Sequence, residues 1–470
     1  MTRSTQVWTL ALTAVAFLMI TLDALVVVTA LPAIHRDLGA ALAQLEWTIN
    51  AFTLTFAAGI ITAAALGDRV GRRRVFVAGL AVFTVASAAC AIAPTAAALI
   101  AARAIQGFGA AMVMPLSLTI LVSAFPPARR GAIVGIWGAL GGIGVAGGPL
   151  VGGAVTQGLD WHWIFWVNVP IGVVAIVLSL LRLAESRGPA TRLDLLAVAL
   201  VGGGATAVVW ALIRAGETSW TAIDVVAALG VGVLLLATFI AWEARAPEPM
   251  LPLRLFASGA FTSAVATSFL LSGSIFSAAF LVAQFFQVAL GYSPFESGLR
   301  VLPWTATPLL LSPLGGALSD RLGRRPLLVA GLTAQAVGFA WLAAVASTTT
   351  EYASMLVPLV LAGFGASLAL PVAATAVVSA VSLSDVGKAS GVNGTMQRFG
   401  AAFAIAIASA VFAANGQLNS GLAYTAGFRP AIAVVALISL LGAIAALGVA
   451  GRPALARIRD TIGVAPTGAD

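Results

Sequence analysis

Residues 65–75 read ALGDRVGRRRV and residues 317–327 read ALSDRLGRRPL, so one charged loop is written almost twice in this chain. Only 9% of the residues are Asp, Glu, Lys or Arg, and two near-copies of such a loop, 252 residues apart from Asp68 to Asp320, need a cause. The likeness extends outward. GFGAAMVMP (107–115) pairs with GFGASLALP (363–371) at an offset of 256, and Gly131, Gly135 and Gly138 pair with Gly387, Gly391 and Gly394 at the same offset. Half of the chain has been laid down twice.

The surrounding composition sets the fold class. Sixty per cent of the 470 residues are apolar, the mean hydropathy is +1.04, and apolar runs of about 20 residues or more recur between short polar breaks. In hydrocarbon every backbone N–H and C=O must be satisfied internally, and unbroken apolar runs do this as helices, not as the alternating strands of a barrel. The reading is an all-α polytopic membrane protein with fourteen spans. They start near Trp8, Leu45, Val75, Ala96, Ala132, Trp163, Leu193, Ile223, Phe261, Ser297, Pro326, Ala353, Ala389 and Thr425. The first run is too long for a signal-peptide core and contains Asp23, so it is expected to be retained.

Arginines orient the chain. With the N-terminus inside, 19 basic residues fall in cytoplasmic loops and 4 on the opposite side (Arg36, Arg214, Arg300 and Arg429). This bias predicts both termini inside, and it makes the net charge of +8 a matter of topology and anionic lipid, not of nucleic acid. Usage of 24 Arg against one Lys, with abundant Ala and Gly, points to a GC-rich bacterial genome and hence to the inner membrane. Cys90 stands alone and neither His35 nor His162 has a second His or a Cys at ligand spacing, so no disulfide and no metal site is expected. No nucleophile elbow, phosphate loop or paired carboxylate appears, which argues against an enzyme; no cofactor is expected beyond a proton gradient.

The repeat shifts the chain by eight spans, which six plus two plus six satisfies. Residues 1–184 are read as a first six-helix bundle, 185–257 as a linker with two extra helices, 258–450 as a second bundle and 451–470 as a cytoplasmic tail. Internal repeats of this kind mark transporters whose substrate site lies near the midplane between halves.

Particular motifs carry a family resemblance. ALGDRVGRRR resembles the loop signature of the major facilitator superfamily between its second and third helices, and LIAARAIQGFGAA (99–111) resembles the signature of the fourth. GVAGGPLVGG (144–153) looks like the fifth-helix motif associated with antiporters. With LDALVVVTALP (22–32) in span 1 and WHWIFWVNVPIG (161–172) entering span 6, the chain is similar to the fourteen-span QacA/EmrB-type drug:proton antiporters. The resemblance runs from about Leu22 to about Gly400. It implies that the loop with Asp68, Arg69, Gly71, Arg72 and Arg73, and its copy with Asp320, Arg321, Gly323 and Arg324, latch the two bundles in an outward-facing state. Gly71 and Gly323 give the tight turns their freedom.

Departures from symmetry locate the chemistry. Arg103 in span 4 maps onto Leu359, so the fold does not require a charge there, and Asp23 reads as the sole deep acid of the bundles. Intramembrane charges are functional candidates by default. Both lie at compatible depth, so Asp23 is expected to take the proton and Arg103 to be its partner. In span 5 Gly144, Gly148 and Gly152 recur every four residues beside Pro149 and Gly153, whereas span 13 has AIAIASA at the matching place. Small residues permit close helix approach, and the family resemblance assigns them to a seal against proton leak. Span 13 carries TMQRFG (395–400) where the family commonly has an Arg followed by a Gln. Arg398 lies roughly 15 Å past Lys388 along the helix, too deep to snorkel, so it is expected to face the cavity with Gln397. Further cavity candidates are Asn50, Phe52, Gln106, Met112, Phe280, Gln284, Phe286 and Asn393, because aromatic and Met surfaces with sparse polar groups suit amphipathic ligands. The resulting expectation is a monomeric, proton-coupled exporter of amphipathic drugs or secondary metabolites. A proton-coupled uptake symporter on the same fold and a membrane sensor are the rivals.

Overall fold

The computed structural model describes residues 3–188, 193–247, 249–382 and 385–451. The expected tail 451–470 therefore lies outside the described residues but for Gly451. The first half comprises α1 (Arg3–Leu38), α2 (Leu42–Val70), α3 (Arg72–Ala91), α4 (Ala96–Ala124), α5 (Pro127–Gly158), the short α6 (Trp163–Trp166) and α7 (Asn168–Arg182). Next come α8 (Leu195–Glu217) and α9 (Ile223–Glu243). The second half comprises α10 (Gly259–Gln284), prolonged by a π-helical turn (Phe285–Ala289), then α11 (Pro294–Thr305), α12 (Thr307–Leu322), α13 (Arg324–Val345), α14 (Tyr352–Ser379), α15 (Val386–Asn415) and α16 (Gly421–Ala446). Among the described residues there are fourteen membrane spans, with α6 and α7 forming one and α11 and α12 another. The architecture is two six-helix bundles with an inserted helix pair.

Most helices begin two to five residues before the apolar run does. α1 starts at Arg3 where the run starts near Trp8, and α3 at Arg72 where it starts near Val75. Hydrophobicity marks where the chain enters hydrocarbon, whereas helix propensity and caps mark where hydrogen bonding starts; Ser258 caps α10 by accepting from Phe261 N–H. Proline shapes the two divided spans. Pro303 and Pro308 flank the break at Ala306, and the Thr307 hydroxyl bonds back to the Pro303 carbonyl.

The inserted pair is more than a connecting hairpin. α9 packs on α8, and α8 sits against both α2 and α15, one helix from each half. Gly202 faces Ala58 of α2, and Gly216 approaches Ala410 of α15, where an added Cβ would stand 3.0 Å from its Cα. α9 presents Ile223, Val226, Val233 and Leu234 outward, a lipid-facing surface. The chain leaving the pair is tied to α15, because Arg254 donates to both oxygens of Asp385 at 3.0 and 2.6 Å. That guanidinium, with help from the Ser382 hydroxyl, holds the Asp385 carboxyl below the usual carboxylate range.

The two halves meet at the face opposite the arginine-rich loops. There α5 lies on α11 so closely that a Cβ at Gly153 would collide with the Pro294 carbonyl, and one at Gly298 would stand 2.5 Å from the Pro149 carbonyl oxygen. Three cross-half hydrogen bonds reinforce the seam: Thr305 Oγ1 to the Ala146 carbonyl (3.2 Å), Gln287 Nε2 to the Thr29 carbonyl (2.9 Å) and Phe295 N–H to Gln157 Oε1 (3.1 Å). α1 is buried without interruption from Asp23 to Leu31. Toward the arginine-rich face α5 and α12 diverge, with open space beside Gly135 and Gly138 and with Leu310 and Leu314 exposed, while α2 stays against α15, where Thr395 Oγ1 donates to the Ala57 carbonyl at 3.4 Å. The structure is sealed at the far face.

Gly153→Leu should therefore weaken that seal. Overpacking costs about 1–3 kcal/mol, which moves the closed-to-open ratio by about fivefold to a hundredfold. Cysteine accessibility measured from the far face should rise accordingly while the protein still reaches the membrane; unchanged accessibility would mean that the α5–α11 approach does not set closure.

Candidate functional site

The polar centre is built on five helices of the first half, α1, α2, α3, α4 and α7. Asp23 of α1 and Arg103 of α4 are both fully buried, with Arg103 Nη1 2.5 Å from Asp23 Oδ2. The other carboxylate oxygen accepts from Gln106 Nε2 (3.0 Å) and from Asn168 Nδ2 (2.9 Å). Arg103 donates also to Gln106 Oε1 (2.6 Å) and, through Nε, to the Thr48 carbonyl (3.1 Å). Gln106 Nε2 reaches Ser87 Oγ at 2.6 Å, and the Phe52 ring lies 4.3 Å from the guanidinium carbon. Arg103 Nη2 is buried with no hydrogen-bond partner. The expected pairing of Asp23 with Arg103 is thus present in space, and Phe52 and Gln106, expected in a cavity, belong to it.

Asn168 was not anticipated from the sequence. It opens α7 just after the span bends at Val167, with Pro170 two residues on, and the bend turns its amide toward α1. The signal was an asparagine inside an apolar run. Glu46 is a second omission: it lies in the second turn of α2, near its far-face end, and is only 2% exposed, so a buried acid stands apart from the deep Asp23. It stands at the end of an apolar run, and neighbouring helices cover it.

The cavity candidates separate. Arg398 of α15 is half-buried, its guanidinium 4.4 Å from the Phe56 ring of α2 and 5.8 Å from Phe276 of α10, so it stands between the halves. Among the described residues no carboxylate pairs with it. Gln397 beside it is half-buried; Asn393, one turn away, is buried with Oδ1 unpartnered. Asn50 is wholly buried and neither of its amide atoms is partnered. Met112 does not line a cavity: it packs between α3 and α4 against Gly79. Phe280, Gln284 and Phe286 are likewise buried, because they sit in the closed half; Gln284 bonds its own helix at the Phe280 carbonyl, and Phe286 packs on Tyr292 and Tyr352.

Each charged loop clasps its own half. Gly71 at φ +131° and Gly323 at φ +88° make the tight turns expected of them. Arg72 Nε pairs with Asp68 at 2.7 Å, the Arg72 N–H donates to the Ser186 carbonyl, and Arg73 donates to Glu185 and to the Leu183 carbonyl. In the second copy Arg325 Nε reaches the Val449 carbonyl at 2.9 Å, and Gly323 abuts Gly451. Both loops thus hold the chain leaving the sixth helix of their bundle. Arg69 and Arg321 are exposed and Arg324 is half-buried, while the side chain of Asp320 lies outside the described residues. The span 5 glycines pack within the bundle: Gly144, Gly148 and Gly152 meet Thr21, Leu25 and Thr29 on successive turns of α1. Pro149 and Gly153 face the other half, as the seam described above requires.

The Major Facilitator Superfamily profile matches residues 12–304 and 264–463. The chain belongs to that family. It is 36% identical over 412 residues to multidrug resistance protein Stp of Mycobacterium tuberculosis, covering 87% of this chain and 76% of that one. It is 34% identical to the methylenomycin A resistance protein of Streptomyces coelicolor, covering 94% of this chain and 91% of that one. The tetracenomycin C resistance and export protein of Streptomyces glaucescens is 35% identical over 69% of this chain and 61% of its own length. Among solved structures, a peptide transporter POT bound to sulfate superposes with a TM-score of 0.66 at 18% identity, covering 92% of this chain and 94% of that one, a likeness of fold alone.

Removing one partner of a buried ion pair strands the other charge, at a cost of about 3–5 kcal/mol. Asp23→Ala should therefore lower thermal stability sharply in detergent, Asp23→Asn less, and Asp23→Ala combined with Arg103→Met should recover most of the loss. Additive losses in the double variant would show that the pair is not coupled.

Proposed function

We propose that the chain is a proton-coupled efflux antiporter for amphipathic drugs or secondary metabolites, working by alternating access in a bacterial inner membrane with both termini cytoplasmic. The observation that carries this reading is the buried Asp23 carboxylate, held by Arg103, Gln106 and Asn168 inside one half of a two-bundle fold. The resistance and export roles in the names of its relatives support the direction of transport.

The chemistry follows from the partners. Ionised, Asp23 neutralises Arg103 and accepts two amide hydrogen bonds, which stabilises the arrangement seen here. A proton delivered from the far side converts it to a neutral acid, loosens its hold on Arg103 and leaves a guanidinium that already has one unsatisfied donor. That change biases the helices α1 and α4, and with them the seam formed by α1, α5 and α11. Substrate enters from the arginine-rich side, where α5 and α12 diverge. Arg398, between Phe56 and Phe276, offers it a cation flanked by aromatic faces. A cavity with this cation suits neutral, zwitterionic or acid-bearing compounds.

In inverted vesicles, Asp23→Asn should eliminate substrate-induced proton movement while substrate still binds. Proton movement at the wild-type rate would sink the coupling assignment, and transport running inward down the proton gradient would favour a symporter. Arg398→Gln should raise binding of a cationic compound relative to a matched anionic one by about tenfold, equivalent to about 1.4 kcal/mol. An unchanged ratio in equilibrium binding would make Arg398 a structural residue.

A further inference from the structure

Glu46 occupies the second turn of α2, at the far-face end where α2, α8 and α15 touch one another. It is 2% exposed, and its Oε2 has no hydrogen-bond partner. Ser409 of α15 is its hydroxyl neighbour, yet Ser409 Oγ is also unpartnered. The approach of α8 to Ala410 and Ala413 at Gly216 closes the third side.

Among the described residues no cation pairs with this carboxyl; on α1, Arg36 is exposed and the His35 ring meets the Ala40 carbonyl at 2.8 Å. From α8 the acting charge is Glu217, of like sign. Arg214 on the same helix is committed to Asp224 at 3.0 Å and to Glu217 at 3.2 Å. From α4 the only cation is Arg103, which Asp23 of α1 already holds. The arginines of α3 lie at its opposite end, Arg72 to Arg74. On α15, Arg398 lies eleven residues from Ser409, roughly 16 Å along the helix. An ionised carboxylate with no cation and an unfilled lone pair is among the most costly groups to bury, whereas a neutral acid can occupy the same place and donate to a hydroxyl.

We propose that Glu46 is a second proton-binding site, loaded from the far side when the outer halves part and carried neutral into the sealed state. A proton from water at the far face adds to a Glu46 carboxylate oxygen; α15 and α8 then close over the neutral acid. Reopening admits water and the proton leaves by the same route. Sealing the far face thus requires this proton, and the inserted helix α8 supplies one wall of its site. The inference rests on the alternating-access reading.

Spin labels at Ala41 and Ala414, both exposed at far-face helix ends, would report closure, the single native cysteine, Cys90, being buried. Measured in lipid nanodiscs as the difference between full-length wild type and Glu46→Gln, in which the contribution of Asp23 is common to both, lowering the pH should raise the closed-to-open ratio of wild type by up to about tenfold per pH unit for one linked proton. Glu46→Gln, which mimics the neutral acid, should stay closed at high pH and lose that part of the slope. Superimposable curves for the two proteins would overturn the Glu46 site while leaving alternating access standing. A wild-type distance that responds neither to pH nor to an exported dye would overturn both. Infrared spectra of protein carrying carbon-13 glutamate add a direct readout: at neutral pH wild type should show protonated glutamic acid intensity that Glu46→Gln lacks, and identical bands in the two proteins would overturn the proposal.

Discussion

A charge inside hydrocarbon must find its compensation within the protein, and the Asp23–Arg103 pair, Arg398 and Glu46 meet that constraint in different ways. Asp23 and Arg103 answer it as a pair, with two amides and a carbonyl completing the shell. Arg398 answers it with two aromatic faces, which attract a guanidinium without neutralising it. Glu46 lacks any such answer in its ionised form. Three different surroundings on one scaffold leave three groups with different unmet polar needs.

Close helix approach is the second requirement, because the charge network can respond to the seam only if the helices that carry it are in register. The glycines of α5 lie on α1 turn by turn, and α1 carries Asp23. The opposite side of α5 meets α11 in the other half through Pro149 and Gly153. One helix therefore touches both the helix that carries Asp23 and the far-face seam. Small side chains make this possible, since any Cβ at Gly153 would strike backbone.

The duplicated loop has a structural cause visible in both copies. Each turn, made possible by a glycine at positive φ, grips the segment that leaves the last helix of its own bundle. The contacts differ in chemistry: among the described residues the first copy uses Glu185 and carbonyls, and the second uses the Val449 carbonyl. In this far-face-sealed arrangement the described loop contacts stay within each half, so any latch between halves belongs to a different arrangement of the bundles.

The all-α class, the fourteen spans, the repeat and the pairing of Asp23 with Arg103 were legible in the residues alone. Hydrocarbon leaves the backbone few options, and a lone acid at the depth of a lone arginine has few partners. Helix starts, the burial of Phe280 and Phe286, the packing of Met112, the reach of Asn168 and the isolation of Glu46 were not legible. Those depend on which faces of helices distant in sequence come together, and on which side of the molecule is closed. Sequence determines what each segment must satisfy; which neighbour satisfies it, or leaves it unsatisfied as at Glu46, is decided only when α8 and α15 pack against α2.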